Sequence, residues 1–236
     1  MNTTAAVIII VVFLALDIVF YFLIIRSMEK PSPSAALARA RDLSVLPDSE
    51  GESVGLRLRQ HLPLPRGDLF DIVRLVLPAG EGYLFTTQPD ADSHLPKARE
   101  NQRQFIAVLI KTPADGGLFI HPPVRFPFAG FKRRRLFRIF KTGAFFSVAA
   151  DRLPGALSGR WRVRAERERF DPESFFTREV ADVMTNRAPR ERGFALMICP
   201  GGLAVYINPL LKNQVEAGRF CDFTRELVEA IMKKKG

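Results

Sequence analysis

The chain is poor in the residues on which metal sites and disulfide frameworks depend. Its 236 residues include two cysteines and three histidines. Two cysteines cannot build the disulfide framework of a small secreted domain, and a chain of this length forms a core without one. The histidines, His61, His94 and His121, show no spacing that would hold a transition metal. The sequence therefore predicts no metal site, and it predicts that Cys199 and Cys221 are thiols packed as small apolar groups.

Patterns for nucleotide binding are missing as well, since neither GxGxxG nor GxxxxGK[ST] occurs. Cys199 precedes Pro200-Gly201, where the pattern indicates the end of a hairpin strand rather than a catalytic loop. Asp171 and Glu173 fit the start of a helix, where acidic side chains satisfy free N–H groups. A Ser/His/Asp or Cys/His site whose members meet only in the fold stays open. The sequence favours a binding protein over an enzyme and predicts no cofactor.

A long apolar run lies near the N-terminus. Residues 5–25, AAVIIIVVFLALDIVFYFLII, carry one charge, and a helix of that length spans about 31 Å, close to a hydrocarbon core of about 30 Å. No cation precedes the run, whereas Arg26 and Lys30 follow it closely. A cleaved signal peptide would need a cationic start. By the positive-inside rule, we expect a single-pass, N-out/C-in protein of the bacterial inner membrane, with residues 1–4 outside.

Asp17 lies in the middle of this apolar run. A charge near mid-bilayer is costly, at about 2.5 to 3.5 kcal/mol on insertion scales. Two interpretations stay open: the carboxyl is tolerated, often in its protonated form, or it contacts a polar group on the helix of a membrane protein partner.

Residues 26–53 are expected to form a Pro/Ser-containing linker, followed by one cytoplasmic domain over residues 54–236. Its first half, about 54–150, is predicted to be β-rich. The alternation in VGLRLRQHL at 54–62 predicts a strand, the two apolar runs around PAGEG predict a hairpin, and FIAVLI predicts a strand buried on both faces.

The second half, about 158–235, has a β-α-β-β-α order. RWRVRAE alternates between one apolar and one cationic face, Asp171 caps a helix, and Pro200-Gly201 fits a type II turn between two strands. Phe220, Phe223, Leu227 and Ile231 line one face of a final helix. The predicted fold class is α+β, a β-rich antiparallel domain with a few helices packed on one face of the sheet and preceded by one transmembrane helix.

Three stretches carry a family resemblance: FIAVLIKTPADGGLFIHPP, RFDPESFFTREV and GGLAVYIN. Over roughly residues 55 to 235 the chain resembles a group of uncharacterised bacterial proteins of the domain-of-unknown-function kind. These have one N-terminal membrane helix, a β-rich stretch and a β-α-β-β-α module. The resemblance implies an architecture and a membrane address, and it transfers no catalytic residue.

Positive charge is concentrated in one segment. Residues 125–169 hold 13 lysines and arginines against three acids, a net charge of +10 that equals the charge of the whole chain. For FKRRRLFRIFK at 131–141 within it, two interpretations stay open: its cations form the solvent-exposed face of an ordinary strand, or they dock on anionic lipid headgroups. Nucleic acid also accepts such a mixture of basic and aromatic residues, but it is not favoured for a membrane-tethered chain.

The sequence as a whole predicts a single-pass membrane-anchored binding or assembly module that contacts partner membrane proteins and anionic lipid. The alternative is a membrane-tethered enzyme of unidentified reaction, with nucleic-acid binding a more distant third. The expected contact residues are Asp17, Lys132, Arg133, Arg134, Arg135, Arg138 and Lys141.

Overall fold

The computed structural model describes residues 12–21, 33–41, 43–65, 67–77, 80–88, 103–112, 114, 116–123, 145–168, 170–189, 193–208, 211 and 213–233. The chain divides into two compact units, Met1–Ser32 and Pro33–Gly236. Each unit is described by itself below.

In the first unit, residues 12–21 are helical and their side chains are exposed. Nowhere in the described part of the chain is there a helix with the length and apolar character needed to cross a membrane. This finding corrects the predicted transmembrane helix over residues 5–25. The single-pass, N-out/C-in localisation in the inner membrane is contradicted with it.

The second unit is built on one eight-stranded, fully antiparallel sheet. The strands in chain order are β1 Asp68–Leu75, β2 Glu81–Gln88, β3 Arg103–Leu109, β4 Leu118–His121, β5 Phe146–Ser147, β6 Arg162–Ala165, β7 Gly193–Cys199 and β8 Gly202–Asn208. In space they follow the order β1-β2-β3-β8-β7-β4-β6-β5. The α+β domain of the prediction is therefore confirmed in its antiparallel sheet.

The helices of this unit are α1 Pro33–Ala40, α2 Asp48–His61, α3 Pro172–Phe175, α4 Arg178–Asp182 and α5 Gln214–Lys233. A π-helical turn, Val183–Arg187, continues α4, and a 3₁₀ turn covers Ala150–Arg152. As predicted, the Asp171 side chain caps α3 by accepting a hydrogen bond from Glu173 N–H. Thr177 starts α4 in the same way, accepting from Val180 N–H.

One face of the sheet packs against α1, α3, α4 and α5 in a shared apolar core. The predicted face of the last helix is confirmed, because Phe220, Phe223, Leu227 and Ile231 are all buried there. Helix α1 is joined to α5 by Arg41, whose guanidinium forms two hydrogen bonds with the Asp222 carboxylate at 3.1 and 3.2 Å.

The opposite face packs against α2, which contradicts two predictions. Residues 54–62 lie mainly in this helix rather than in a strand, and helices cover both faces of the sheet rather than one. Gly51 and Gly55 let α2 approach β1 closely. A Cβ atom at Gly51 would lie 3.3 Å from the Ile72 side chain, and one at Gly55 would lie 3.1 Å from the Leu69 side chain. Arg57 also binds β2, through an ion pair with Glu81 and a 2.7 Å hydrogen bond to the Tyr83 hydroxyl.

The hairpins β1–β2 and β7–β8 and the buried central strand β3 are as predicted. The β7–β8 turn is not of type II, because Gly201 does not adopt a positive φ. A Cβ atom at position 201 would lie 3.0 Å from the His61 ring at the end of α2, so a larger residue there requires this exposed side chain to shift slightly.

Candidate functional site

The candidate site lies where the helical cover of the sheet ends. On the face of the sheet that packs against α1 and α5, one residue from each of the eight strands forms a row, and each residue pairs directly with the next. In strand order the row contains Leu75, Gly82, Val108, Leu203, Ile198, Leu118, Ala165 and Phe146. The first seven are buried, whereas Phe146 on β5 is 48% exposed. The apolar row therefore extends one strand beyond the layer that covers it.

A cleft of about 490 Å³ opens at this point. Its lining residues come from β4, β5, β6 and the turns next to them: Gly116, Gly117, Leu118, Phe146, Ala165, Glu166, Arg167, Glu168 and Phe170. Two contacts fix the position of Phe170. Its ring packs edge-on against the Phe176 ring with 6.5 Å between the ring centroids, and its carbonyl accepts a 2.8 Å hydrogen bond from the Arg152 guanidinium. The cleft thus has an apolar base and one wall fixed by the core.

Glu166 joins the two turns on one side of the cleft. Its backbone N–H donates to Gly117 O at 2.8 Å, and its side-chain Oε2 accepts from Gly117 N–H at 2.7 Å. These two bonds extend the β4–β6 pairing by one residue. The carboxylate is therefore a structural acceptor for a buried glycine N–H group.

The two phenylalanines before Ser147 face opposite sides of the sheet. Phe145 packs with the core under α2, and a Cβ atom at Gly117 would lie 2.7 Å from its ring. Its carbonyl accepts a 3.1 Å hydrogen bond from Nε of Arg164. Because Phe145 is anchored in this way, Phe146 is held at the mouth of the cleft.

The cysteines are not activated nucleophiles. Burial raises the pKa of the Cys199 thiol to about 11, with a further contribution from the nearby Glu166 carboxylate. Burial raises the pKa of Cys221 to about 12, and Arg41 opposes this shift only in part. Both thiols are protonated at neutral pH, and the reactive form of cysteine is the thiolate.

Among the described residues, no histidine lines the cleft. His61 is exposed at the end of α2, and His121 is buried with Nδ1 2.9 Å from Pro122 O. Within the residues that the structure describes, no group of three or more His, Cys, Asp or Glu side chains could hold a metal ion. His94 lies outside those residues.

One stretch of the sequence matches a catalytic pattern. Gly51–Gly55, GESVG, matches the GxSxG of nucleophile elbows. That motif acts on a sharp turn between a strand and a helix, which lifts the serine above the sheet. Here the five residues lie inside α2, Ser53 is exposed, and the two glycines serve packing against β1. The structure therefore gives no support to a serine nucleophile at this position.

Most of the contact residues expected from the sequence lie outside the described residues, so their expected role stays a prediction. Asp17 lies exposed on the helical segment 12–21. Six others fall outside the described residues: Lys132, Arg133, Arg134, Arg135, Arg138 and Lys141. The cleft was missed because its lining comes from stretches that are far apart in sequence.

Comparison with known proteins identifies no family. No protein-family model matches the chain, and no curated protein matches it. Among solved structures, it is similar to the crystal structure of the mycobacterial trehalose monomycolate transport factor A, TtfA, with a TM-score of 0.45 and 10% sequence identity over 83% of this chain and 94% of that chain. A likeness at this level carries no functional inference. The resemblance to uncharacterised bacterial proteins stays a prediction.

Proposed function

We propose that the domain is a binding or assembly module that recognises another protein through the cleft at the β5 end of the sheet. The observation that carries the proposal is the apolar row that ends at Phe146. Seven buried positions precede an aromatic ring that is about half exposed. A partner side chain placed over Phe146 would continue the apolar layer and remove that ring from water.

The chemistry of the cleft supports binding over catalysis. An active site is expected to aim several polar groups with perturbed acidity at one point. At this cleft the Glu166 carboxylate is already bound by Gly117 N–H, and Arg167 and Glu168 are exposed at the rim. The nearest thiol, Cys199, is protonated at neutral pH. An enzyme of unidentified reaction is the competing function.

Random peptides displayed on phage and selected on the full chain test the proposal. Selected peptides should bind the wild-type protein and lose at least about tenfold in affinity on Phe146→Ala, because exposed aromatic anchors dominate such interfaces. Val215→Ala is the matched control, since Val215 is also apolar and 59% exposed but lies on α5. Peptides that ignore both substitutions, or that respond to Val215 alone, would contradict the proposal.

Contact between residues 125–169 and anionic lipid headgroups is a second proposal, and it rests on sequence alone. The net charge of +10 over these residues supports it.

A further inference from the structure

We infer that the cleft receives the side chain of one arginine from an extended segment of the partner protein. The inference rests on the proposed function and adds the chemistry of the partner. Three properties of the residues that line the cleft carry it: an apolar base, two aromatic rings, and a rim on which carboxylates outnumber cations.

The interior of the cleft suits an apolar stem. Leu118 and Ala165 form its base and are at most 2% exposed, while Phe146 and Phe170 provide aromatic walls. Its volume of about 490 Å³ lies within the range of ligand sites, about 300 to 1,000 Å³. This volume accommodates one long side chain together with some flanking backbone.

The rim of the cleft carries more negative than positive charge. The charged residues of its described lining are Glu166, Arg167 and Glu168, and all three are exposed. Oε2 of Glu166 accepts a hydrogen bond from Gly117 N–H, but this bond leaves the charge of the carboxylate in place. Arg167 and Glu168 form no ion pair among the described residues. With two carboxylates against one guanidinium, the lining itself favours a cation over an anion.

Two further arginines lie beside the cleft but are bound to backbone carbonyls. Nε of Arg164 donates to Phe145 O at 3.1 Å, and Arg152 donates to Phe170 O at 2.8 Å. Neither belongs to the described lining of the cleft. They therefore do not neutralise the carboxylates at the rim by direct contact.

Arginine matches both the interior and the rim. Its methylene stem can cover the apolar base while the guanidinium stays at the wet rim. The planar guanidinium stacks on aromatic faces, and the Phe146 ring is 48% exposed. The same group binds a carboxylate through paired N–H donors, which the ammonium group of lysine cannot do. An acidic side chain would instead meet two carboxylates, and a purely apolar one would leave them without a partner.

Backbone pairing contributes little at this edge of the sheet. β5 has two residues, and the next residue, Val148, donates its N–H inward to Val163 O at 2.9 Å. Since hydrogen-bonding direction alternates along an antiparallel strand, Ser147 is the one residue of β5 that presents its N–H and C=O outward. The partner segment therefore binds mainly through the side chain that enters the cleft.

Peptides that differ at one central position test the inference by fluorescence anisotropy. Four otherwise neutral peptides of equal length carry Arg, citrulline, Leu or Glu at that position, and citrulline keeps the shape of arginine without its charge. Binding to the full chain is measured at about 0.15 M salt, where a Debye length of about 8 Å limits the effect of charges elsewhere on the chain. The arginine peptide should bind at least about threefold more tightly than each of the others.

Variants of the rim and of the aromatic wall provide matched controls. Glu168→Gln should weaken the arginine peptide about two- to fivefold and change the citrulline peptide by less than about twofold, whereas Arg167→Gln should strengthen the arginine peptide about two- to fivefold. Phe146→Ala should weaken the arginine peptide about tenfold. Val215→Ala, on α5, should leave its affinity unchanged.

The outcomes separate the inference from the proposed function. Equal binding of the arginine and citrulline peptides, or tightest binding of the Leu or Glu peptide, would overturn the arginine and leave the binding cleft in place if that binding is lost on Phe146→Ala. An arginine peptide whose affinity ignores both Glu168→Gln and Arg167→Gln would overturn it as well. In the phage selection, enrichment of arginine supports the inference, and Phe146-dependent peptides without arginine contradict it. Absence of any Phe146-dependent peptide would overturn both proposals.

Discussion

The two edges of the sheet are protected in different ways. At the β1 edge the chain before α2 lies along the strand: Leu46 N–H donates to Ile72 O at 2.8 Å, and Val45 forms a bridge with Val73. A bulge with Asp71 at φ 52° interrupts the same strand. At the β5 end, the described residues show a strand of only two residues, and the Phe146 ring on it is 48% exposed. A covered edge stabilises the fold, whereas a short strand with an exposed aromatic ring offers an apolar surface to a partner.

Truncation of one apolar side chain at each edge should separate these roles, and the largest effect is expected at β1. Ile72 is 3% exposed and packs under α2, so Ile72→Ala should lower the free energy of unfolding by about 2 to 5 kcal/mol. Phe146→Ala should cost less than about 1 kcal/mol, since the ring is already half in water. Urea denaturation of both variants measures the difference. Equal losses would contradict an open β5 edge.

The two cysteines allow a second comparison, because Cys221 is buried in the core and Cys199 is half-buried near Glu166 of the cleft. Their pKa values of about 11 for Cys199 and about 12 for Cys221 are raised above the ordinary value near 9. In the unfolded chain both thiols ionise from about pH 9, but in the folded protein they stay neutral. The associated stability is therefore complete below pH 9 and is lost as the pH rises through the folded pKa values.

We therefore expect the free energy of unfolding to fall between about pH 9 and 12, and to fall less steeply in Cys199→Ala and Cys221→Ala. The raised pKa of Tyr83 acts in the same direction and stays in both variants. Thiol labelling at pH 8 should be slow at both positions and faster at half-buried Cys199 than at buried Cys221. Faster reaction at Cys221 would show that the α1–α5 side opens more readily than the cleft side.

Sequence patterns recovered elements whose periodicity is unambiguous and missed one whose periodicity is mixed. Strand β3 and helix α5 follow from continuous apolar and 3.6-residue patterns. In α2, Leu56 and Leu58 alternate with arginines and indicate a strand, yet Leu56 is 64% exposed and the buried positions are Gly51, Val54, Gly55 and Leu58. Two of these four are glycines, which contribute no apolar signal, so the helical spacing was hidden.

The position of the cleft could not be predicted for a different reason. Local patterns suggest that β3 and β4, which follow each other in sequence, are neighbours, but β8 and β7 pair between them. This insertion moves β4, β6 and β5 to one end of the sheet. The choice depends on pairing between residues about 100 positions apart, such as Phe105 with Tyr206, and such pairing leaves no periodic signal in a single sequence.

A smaller effect is expected at the turn that closes the cleft. Glu166→Ala removes the side-chain acceptor of Gly117 N–H and should cost about 1 kcal/mol, at the low end for a lost acceptor because Glu166 is exposed. Glu166→Gln keeps a carbonyl acceptor and should retain most of that stability. Glu168→Ala is the matched control from the same turn and should be neutral. If Glu166→Ala and Glu168→Ala behave alike, the bond to Gly117 does not hold the turn.

The smallest effect on stability is expected in the connection that leads from β4 to β5. Arg133, Arg134 and Arg135 lie outside the described residues, and their proposed role in contacting anionic headgroups comes from the sequence. If these charges face solvent, replacing all three with Gln should change the free energy of unfolding by less than about 0.5 kcal/mol, because exposed arginines contribute little to folding.

The wild-type chain from residue 33 onward, which forms the second compact unit, should co-sediment with anionic vesicles at low salt and not with zwitterionic ones. The triple variant should not co-sediment with either. A triple variant that unfolds would show that the charges are paired within the fold, and the lipid proposal would lose its basis. The Phe146→Ala variant should still bind the vesicles, since the apolar cleft and the basic connection are proposed to recognise different partners.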